Sequence, residues 1–298
     1  MAMSVGIDYT RNSWKLCLLE NGQVVELQQF SHADEVIAYL EDMCVLYPEP
    51  IIALSSSLET TLCSLSSLLD EDEGMLNGMQ QFIEGIRFLN SKAYHIPSVK
   101  YLNSIPRYRK RKRKAMGGAS DVSSVATLLH RMRQQEAIWP EMRFLLLEIG
   151  EAERNILVVK DGRIVDGIAT DERAKEEGLD EDEEELSEEE QEQAFWEDLS
   201  EEVAGLMATH HFEDIVVVDA HGSEEGQHRR DEAINRLGDM YQFYHYPRES
   251  SEPVGFESAI GAALIGEGLY RPGMAAEVVE RLEVKSEAKP KKRKSKKS

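Results

Sequence analysis

The chain has 298 residues with 34 basic and 56 acidic side chains, a net charge of −22. That is enough chain for two packed domains, and so acidic a molecule repels nucleic acid and anionic membrane except through a local patch. No apolar run approaches the ~20 residues a membrane helix needs, and no basic start leads into the short apolar core of a secretory leader.

The most informative stretch lies at the start. Val5 to Asp8 reads as an apolar strand tipped by an acid, followed by a polar turn and two alternating strands that meet at Asn21-Gly22. Asn-Gly accepts positive φ at both centres of a type I′ turn, which predicts a hairpin. Cys17 alternates with the strand pattern as a packing residue. With Cys44 and Cys63 it shows neither a disulfide framework nor paired metal spacing, as in a reducing cytoplasm.

Further along, Ala33 to Tyr47 has helical spacing and stops at Pro48 and Pro50, Ile51 to Leu54 is a short buried strand, and Met75 to Leu89 is amphipathic. Arg107 to Lys114 packs seven bases with no acid. Met116-Gly117-Gly118-Ala119 then breaks the chain before a helix expected from about Ser120 to Ala137. Strand and helix alternate throughout, which argues an α/β domain over residues 1–140.

The opening layout returns at Leu146 to Gly150, Asn155 to Lys160, Asp161-Gly162 and Arg163 to Ile168. Each copy places its acid 14 residues before the turn glycine, Asp8 before Gly22 and Glu148 before Gly162. A shared spacing on matching patterns implies an internal duplication, so a second domain is expected over 141–270. Asp171 to Glu202 holds 18 acids and two bases. Within it, residues 171–192 have no helical stripe and read as a solvated insertion. A helix through Phe195 to Met207, a strand at Ile215 to Asp219, a helix at Asp231 to Leu237, a strand at Tyr241 to Tyr246 and a small-residue helix at Phe256 to Leu269 complete the domain. Residues 271–298 are assigned to a basic, disordered tail. His210, His211, His221 and His228 have no recognised metal-ligand spacing.

Two hairpin-led α/β halves, each with an acid-tipped first strand, resemble the actin-like ATPase and sugar-kinase superfamily. Within it the chain looks like the family of predicted butyrate kinases over roughly residues 4–270. Asp8 with Thr10 and Ser13 is similar to the first phosphate loop, and Glu148-Ile149-Gly150 to the second. Ala220-His221-Gly222 with Glu257 to Ala263 is similar to the adenosine turn and its following helix, and Arg109-Lys110 through Ala119 to a further family segment. The resemblance implies two ribonuclease-H-like domains flanking a nucleotide cleft, with ATP and Mg²⁺ as cofactors and a small carboxylate as phosphoryl acceptor. It assigns Asp8 and Glu148 to catalysis and Mg²⁺ (Glu148 through water), and Thr10, Ser13, Lys15 and Gly150 to phosphate. Gly222, Glu257 and Gly261 go to adenosine, and Arg109 and Lys110 to the acceptor. Such chemistry rests on positioning and charge neutralisation by hard oxygen ligands.

The pattern departs from the family in places. Tyr9 and Arg11 flank Thr10 where a glycine is usual, and Glu148 replaces Asp. Glu151, Glu153 and Arg154 stand where small residues cradle phosphate, His221 replaces a glycine, and Ala115 and Gly118 replace Asp and Thr. A non-catalytic relative working through interactions is therefore the alternative. Arg107 to Lys114 with Tyr101 and Tyr108, and the Lys-rich run 285–298, offer a third reading, polyanion or nucleic-acid binding. For Arg107 to Lys114 the bland counterpart is a solvated loop or a partner of the acidic insertion.

Overall fold

Two dipeptides fold the way their chemistry dictates. Asn21 and Gly22 take φ of 53° and 75°, and Asp161 and Gly162 take 53° and 72°, the paired positive angles of a type I′ turn. The computed structural model describes residues 3–10, 13–69, 77–150, 154–170, 187–219 and 222–284. Around the first turn run β1 (Ser4–Thr10), β2 (Ser13–Glu20) and β3 (Gln23–Phe30). The first half continues through α1 (Ala33–Leu46), β4 (Ile51–Ser56), β5 (Cys63–Ser64), α2 (Leu65–Leu68), α3 (Asn77–Ile86), β6 (Lys92–His95), α4 (Arg107–Lys112) and α5 (Ala119–Gln134). The second half contains β7 (Phe144–Ile149), β8 (Arg154–Lys160), β9 (Arg163–Ala169), α6 (Glu188–His210), β10 (Asp214–Asp219), α7 (Glu224–Leu237), β11 (Gln242–His245), α8 (Glu257–Tyr270) and α9 (Met274–Arg281).

The duplication expected from spacing extends to topology. The first sheet runs β3-β2-β1-β4-β6-β5 and the second β11-β10-β7-β8-β9, so each centres on an acid-tipped strand flanked by its own hairpin and a parallel neighbour. Register agrees too: Asp8 lies opposite Lys15, and Glu148 opposite Asn155. Each hairpin has a register shift at the same place, between Leu18 and Leu19 and between Val158 and Val159. A bulge adds local twist, so the two hairpins coil alike.

The first sheet buries Val5, Ile7, Leu16, Ile52 and Leu54 against Val36 and Leu40 of α1 and Phe82 and Ile83 of α3. The second buries Leu145, Leu147, Ile156 and Val158 against Trp196, Leu199 and Val203 of α6 and Ala233 and Leu237 of α7. Each such aliphatic side chain contributes about 1.5–3 kcal/mol by leaving water. Between the sheets lie α5 and α8. Helix α5 packs Val122, Val125 and Leu129 against Leu146, Leu157 and Val218, and α8 packs Ala259, Ile260 and Ala263 against Cys17 and Leu19. Small residues let α8 approach closely. A Cβ at Gly6 would stand 2.0 Å from the Ala259 carbonyl, and one at Gly261 would stand 1.8 Å from that of Ser123.

Several sequence expectations need correction. The interval 171–192 is not insertion throughout: Ser187 caps α6 by accepting from the Glu190 N–H, so Glu188 onward is helical. Residues 171–186 lie outside the described residues, as do 285–298. Nor does a disordered tail begin at 271. Helix α9 buries Ala275, Val278 and Val279, and Leu282 and Val284 follow them into the core; spaced one turn apart, these apolar residues form a stripe that the surrounding charges mask. Finally, Arg107 to Lys112 is a short helix rather than a loop.

Candidate functional site

Both strand-end acids are drawn to the region where the halves meet. Asp8 is 5% exposed at the end of β1. Its Oδ1 accepts three hydroxyls, from Ser120 in the first turn of α5 (2.6 Å), Ser258 in the first turn of α8 (2.8 Å) and Ser55 of β4 (3.0 Å). Burying a carboxylate requires such hydrogen bonds, and here they come from three elements that reach β1 by different routes.

Glu148 is also buried, at 7% exposure. Burial, the Asp121 charge and a hydrogen bond shared with Asp121 push its carboxyl well above the ordinary carboxylate range, against a smaller opposing effect of Ser124. Asp121 lies in the first turn of α5 and accepts the Gly118 N–H on Oδ2 at 2.6 Å. Burial raises its carboxyl as well, opposed by hydrogen bonds from Glu148, Gly118 and Asn155 and reinforced by the Asp8 charge. Its Oδ1 is buried with no N–H or hydroxyl partner among the described residues. Two buried carboxyls so placed disfavour each other's ionised form, which adds to the effect of burial on Glu148.

Glu257 completes the group. It opens α8 with a buried carboxylate that accepts from Arg248 Nε. Burial raises it, and Arg248 and Lys15 partly offset the rise. Lys15 is itself buried, with Nζ 5.9 Å from the Phe256 ring centroid. Asp8, Asp121, Glu148 and Glu257 thus form a chain of neighbouring acids, with Lys15 and Arg248 as nearby cations.

The other expected site residues are placed as follows. Thr10 and Ser13 face each other where β1 and β2 meet, and Ser13 Oγ accepts from Gln29 at 3.1 Å. Gly150 is buried just beyond β7. Glu151 and Glu153 lie outside the described residues, but Arg154 turns to α6, where Glu202 (2.9 Å) and Asp198 (3.3 Å) hold it. Gly222 takes φ 75° and donates to Asp219 Oδ1 at 2.8 Å; Ala220 and His221 lie outside the described residues. Gly261 abuts Ser123 of α5, a role in packing. Arg109 pairs with Asp166 of β9, and Lys110 Nζ donates to the Leu102 carbonyl at 2.8 Å. His210 Nε2 lies 3.4 Å from the same Asp166.

Sequence reasoning missed Asp121, Ser55, Ser120 and Ser258. The first had a readable signal, an acid three residues after a glycine at the head of an apolar helix; lone serines have none. Among the described residues no three His, Cys, Asp or Glu side chains converge as a metal site. The donors are nonetheless all hard oxygens, and Asp121 Oδ1, buried without a hydrogen-bond partner among the described residues, suits a Mg²⁺ ion in its donor chemistry.

Two like-built halves, each a hairpin-led mixed sheet, with two helices packed between them, define the actin-like ATPase fold. The chain belongs to the DUF1464 family, a protein family of unknown function, whose profile matches residues 25–174. The inorganic polyphosphate/ATP-glucomannokinase of Arthrobacter sp. strain KM is similar over 91% of this chain and 100% of its own, at 13% identity and a TM-score of 0.50. At that identity the likeness concerns the fold alone. Acetate kinase from Entamoeba histolytica (10% identity, TM-score 0.46, 80% of this chain and 87% of its own) is a further similar structure. So is a ROK family glucokinase from Streptomyces griseus (7%, 0.45, 88% and 98%). No curated protein matches the chain. Among the described residues no helix is long and apolar enough to cross a membrane.

Proposed function

We propose that the chain binds Mg-ATP between its halves and transfers phosphate to a small acceptor. The observation that carries this reading is the junction of Asp8, Asp121 and Glu148, brought together from the two duplicated strands and the helix between them. Mg-ATP would supply the phosphoryl group and the charge that neutralises it. The chain's own residues do the rest. Asp8, fixed by three hydroxyls, would help hold the cation. Asp121 and Glu148, both with raised carboxyls, would hold and move a proton at the acceptor, since a raised carboxyl is poised for acid–base work. Lys15 offsets the negative charge of the acids. The small-carboxylate acceptor rests on the resemblance to predicted butyrate kinases, which assigns Arg109 and Lys110 to it.

A second reading, a non-catalytic relative, is favoured by one specific observation: Asp8 Oδ1 is saturated by protein hydroxyls. Thermal unfolding with and without millimolar Mg-ATP separates the two. A ligand bound only by the native state raises the melting temperature by mass action, and Asp8→Asn should abolish that rise without lowering the melting temperature of the free chain by more than a few degrees. No rise in the unsubstituted protein selects the non-catalytic reading.

A further inference from the structure

A half-open cavity of about 550 Å³ lies where α4 of the first half meets the last turn of α6 in the second, lined by Tyr108, Arg109, Lys112, Arg113 and Thr209. Its size is that of a small-molecule site, and its chemistry is one-sided. Three cations line it. The nearby carboxylate is Asp166, fully buried behind them, which pairs with Arg109 and lies 3.7 Å from Arg113. Burial pushes the Asp166 carboxyl up, but the His210 hydrogen bond, Arg109 and Arg113 outweigh it and hold the group below its ordinary range. Asp166 therefore stays charged and fixes both guanidiniums from beneath.

Among the described residues, Asp166 leaves most of the positive charge unanswered. Lys112 is exposed and has no carboxylate within ion-pair distance among the described residues, and the same holds for Arg107 and Arg111 on the same helix. The Arg113 side chain is a third exposed toward the cavity. Tyr108 is 58% exposed, with the Arg109 guanidinium 5.4 Å from its ring. At the rim, Thr209 spends its hydroxyl proton on the Gly205 carbonyl at 2.7 Å. Cations in a concavity with protein walls focus a positive potential, and planar guanidiniums match phosphate oxygens.

We propose that this cavity binds a small phosphate-bearing anion, separately from the acids at the junction of the halves. A long polyanion is the less suited occupant, because it must extend beyond the cavity over a molecule of net charge −22. The site joins α4 to β9 and α6, so an occupant would tie the two halves together.

Calorimetric titration of the full chain with sodium pyrophosphate tests the proposal. Saturable binding of one pyrophosphate per chain is expected, weakened at least tenfold by Lys112→Glu and unchanged by Asp8→Asn, with circular dichroism showing both variants folded. Absence of heat at millimolar pyrophosphate overturns it. Binding lost in Asp8→Asn but indifferent to Lys112→Glu also overturns it, by placing the anion among the junction acids. Binding of a single-stranded RNA oligomer without any binding of pyrophosphate overturns it in favour of an extended polyanion surface. Because Lys112 takes no part in the proposed phosphotransfer, failure here leaves the Mg-ATP reading standing, and the reverse.

Discussion

Asp8 and Glu148 occupy the same register position in two like-built sheets, yet one carboxyl is held by three hydroxyls while burial and the neighbouring Asp121 charge push the other well above its ordinary range. The duplication supplied two equivalent acids, and their surroundings gave them different partners.

That difference predicts a pH-dependent effect of Glu148→Gln. The folded-state pKa of Glu148 is raised above its ordinary 4.5, chiefly by burial. The stability contributed by its proton is therefore complete below about pH 4.5 and is lost as pH rises through the raised folded value. Glutamine stays neutral at every pH and has no such proton to lose. The variant should match the parent protein near pH 4.5 and exceed its melting temperature at pH 8 by about 2 °C or more, the effect of roughly 1 kcal/mol in a chain of this size. Scanning calorimetry at the two pH values checks it, and a gap of the same size at both would show that Glu148 ionises freely.

Asp166→Asn should act in the opposite sense. The folded-state pKa of Asp166 is lowered, so its contribution is present above its ordinary 3.8 and is lost as pH falls through the depressed value. At neutral pH the substitution strips Arg109, Arg113 and His210 of their shared partner. Loss of one member of a fully buried pair costs about 3–5 kcal/mol. With the guanidiniums partly exposed, about 2–4 kcal/mol is expected here, read as a lower urea midpoint, and the deficit should shrink below pH 3.8.

Much of this architecture was legible in the residues, and the reasons are physical. Asn21-Gly22 and Asp161-Gly162 allow few other turns, and the spacing from acid to turn glycine exposed the duplication that the strand orders display. What stayed hidden depends on contacts between distant segments. Ser55, Ser120 and Ser258 meet at Asp8 only because α5 and α8 lie side by side between the sheets, and nothing in a lone serine announces that. The partner of Arg109 stayed hidden as well, because a cation's partner cannot be seen from its neighbours in sequence; Asp166 lies 57 residues away. The helix from Met274 was lost for a related reason, because charges between its buried positions diluted the apolar stripe.

Among the helical glycines, Gly261 and Gly205 give the sharpest contrast. A Cβ at Gly261 would stand 1.8 Å from the Ser123 carbonyl, which belongs to the backbone of α5 and cannot rotate away. Gly261→Ala must therefore push apart α5 and α8, the helices that hold the sheets together, at a cost of about 3 kcal/mol or more, the upper end for overpacking. At Gly205, inside α6, nothing lies within 4 Å of the added carbon. Alanine there removes only the entropic penalty of glycine in a helix, so Gly205→Ala should stabilise by about 0.5–1 kcal/mol. Urea midpoints of the two variants should move in opposite directions. If Gly261 served only to admit adenosine, its alanine variant would keep the parent midpoint and lose only the melting-temperature rise with Mg-ATP, an outcome that would reassign the glycine from packing to ligand approach.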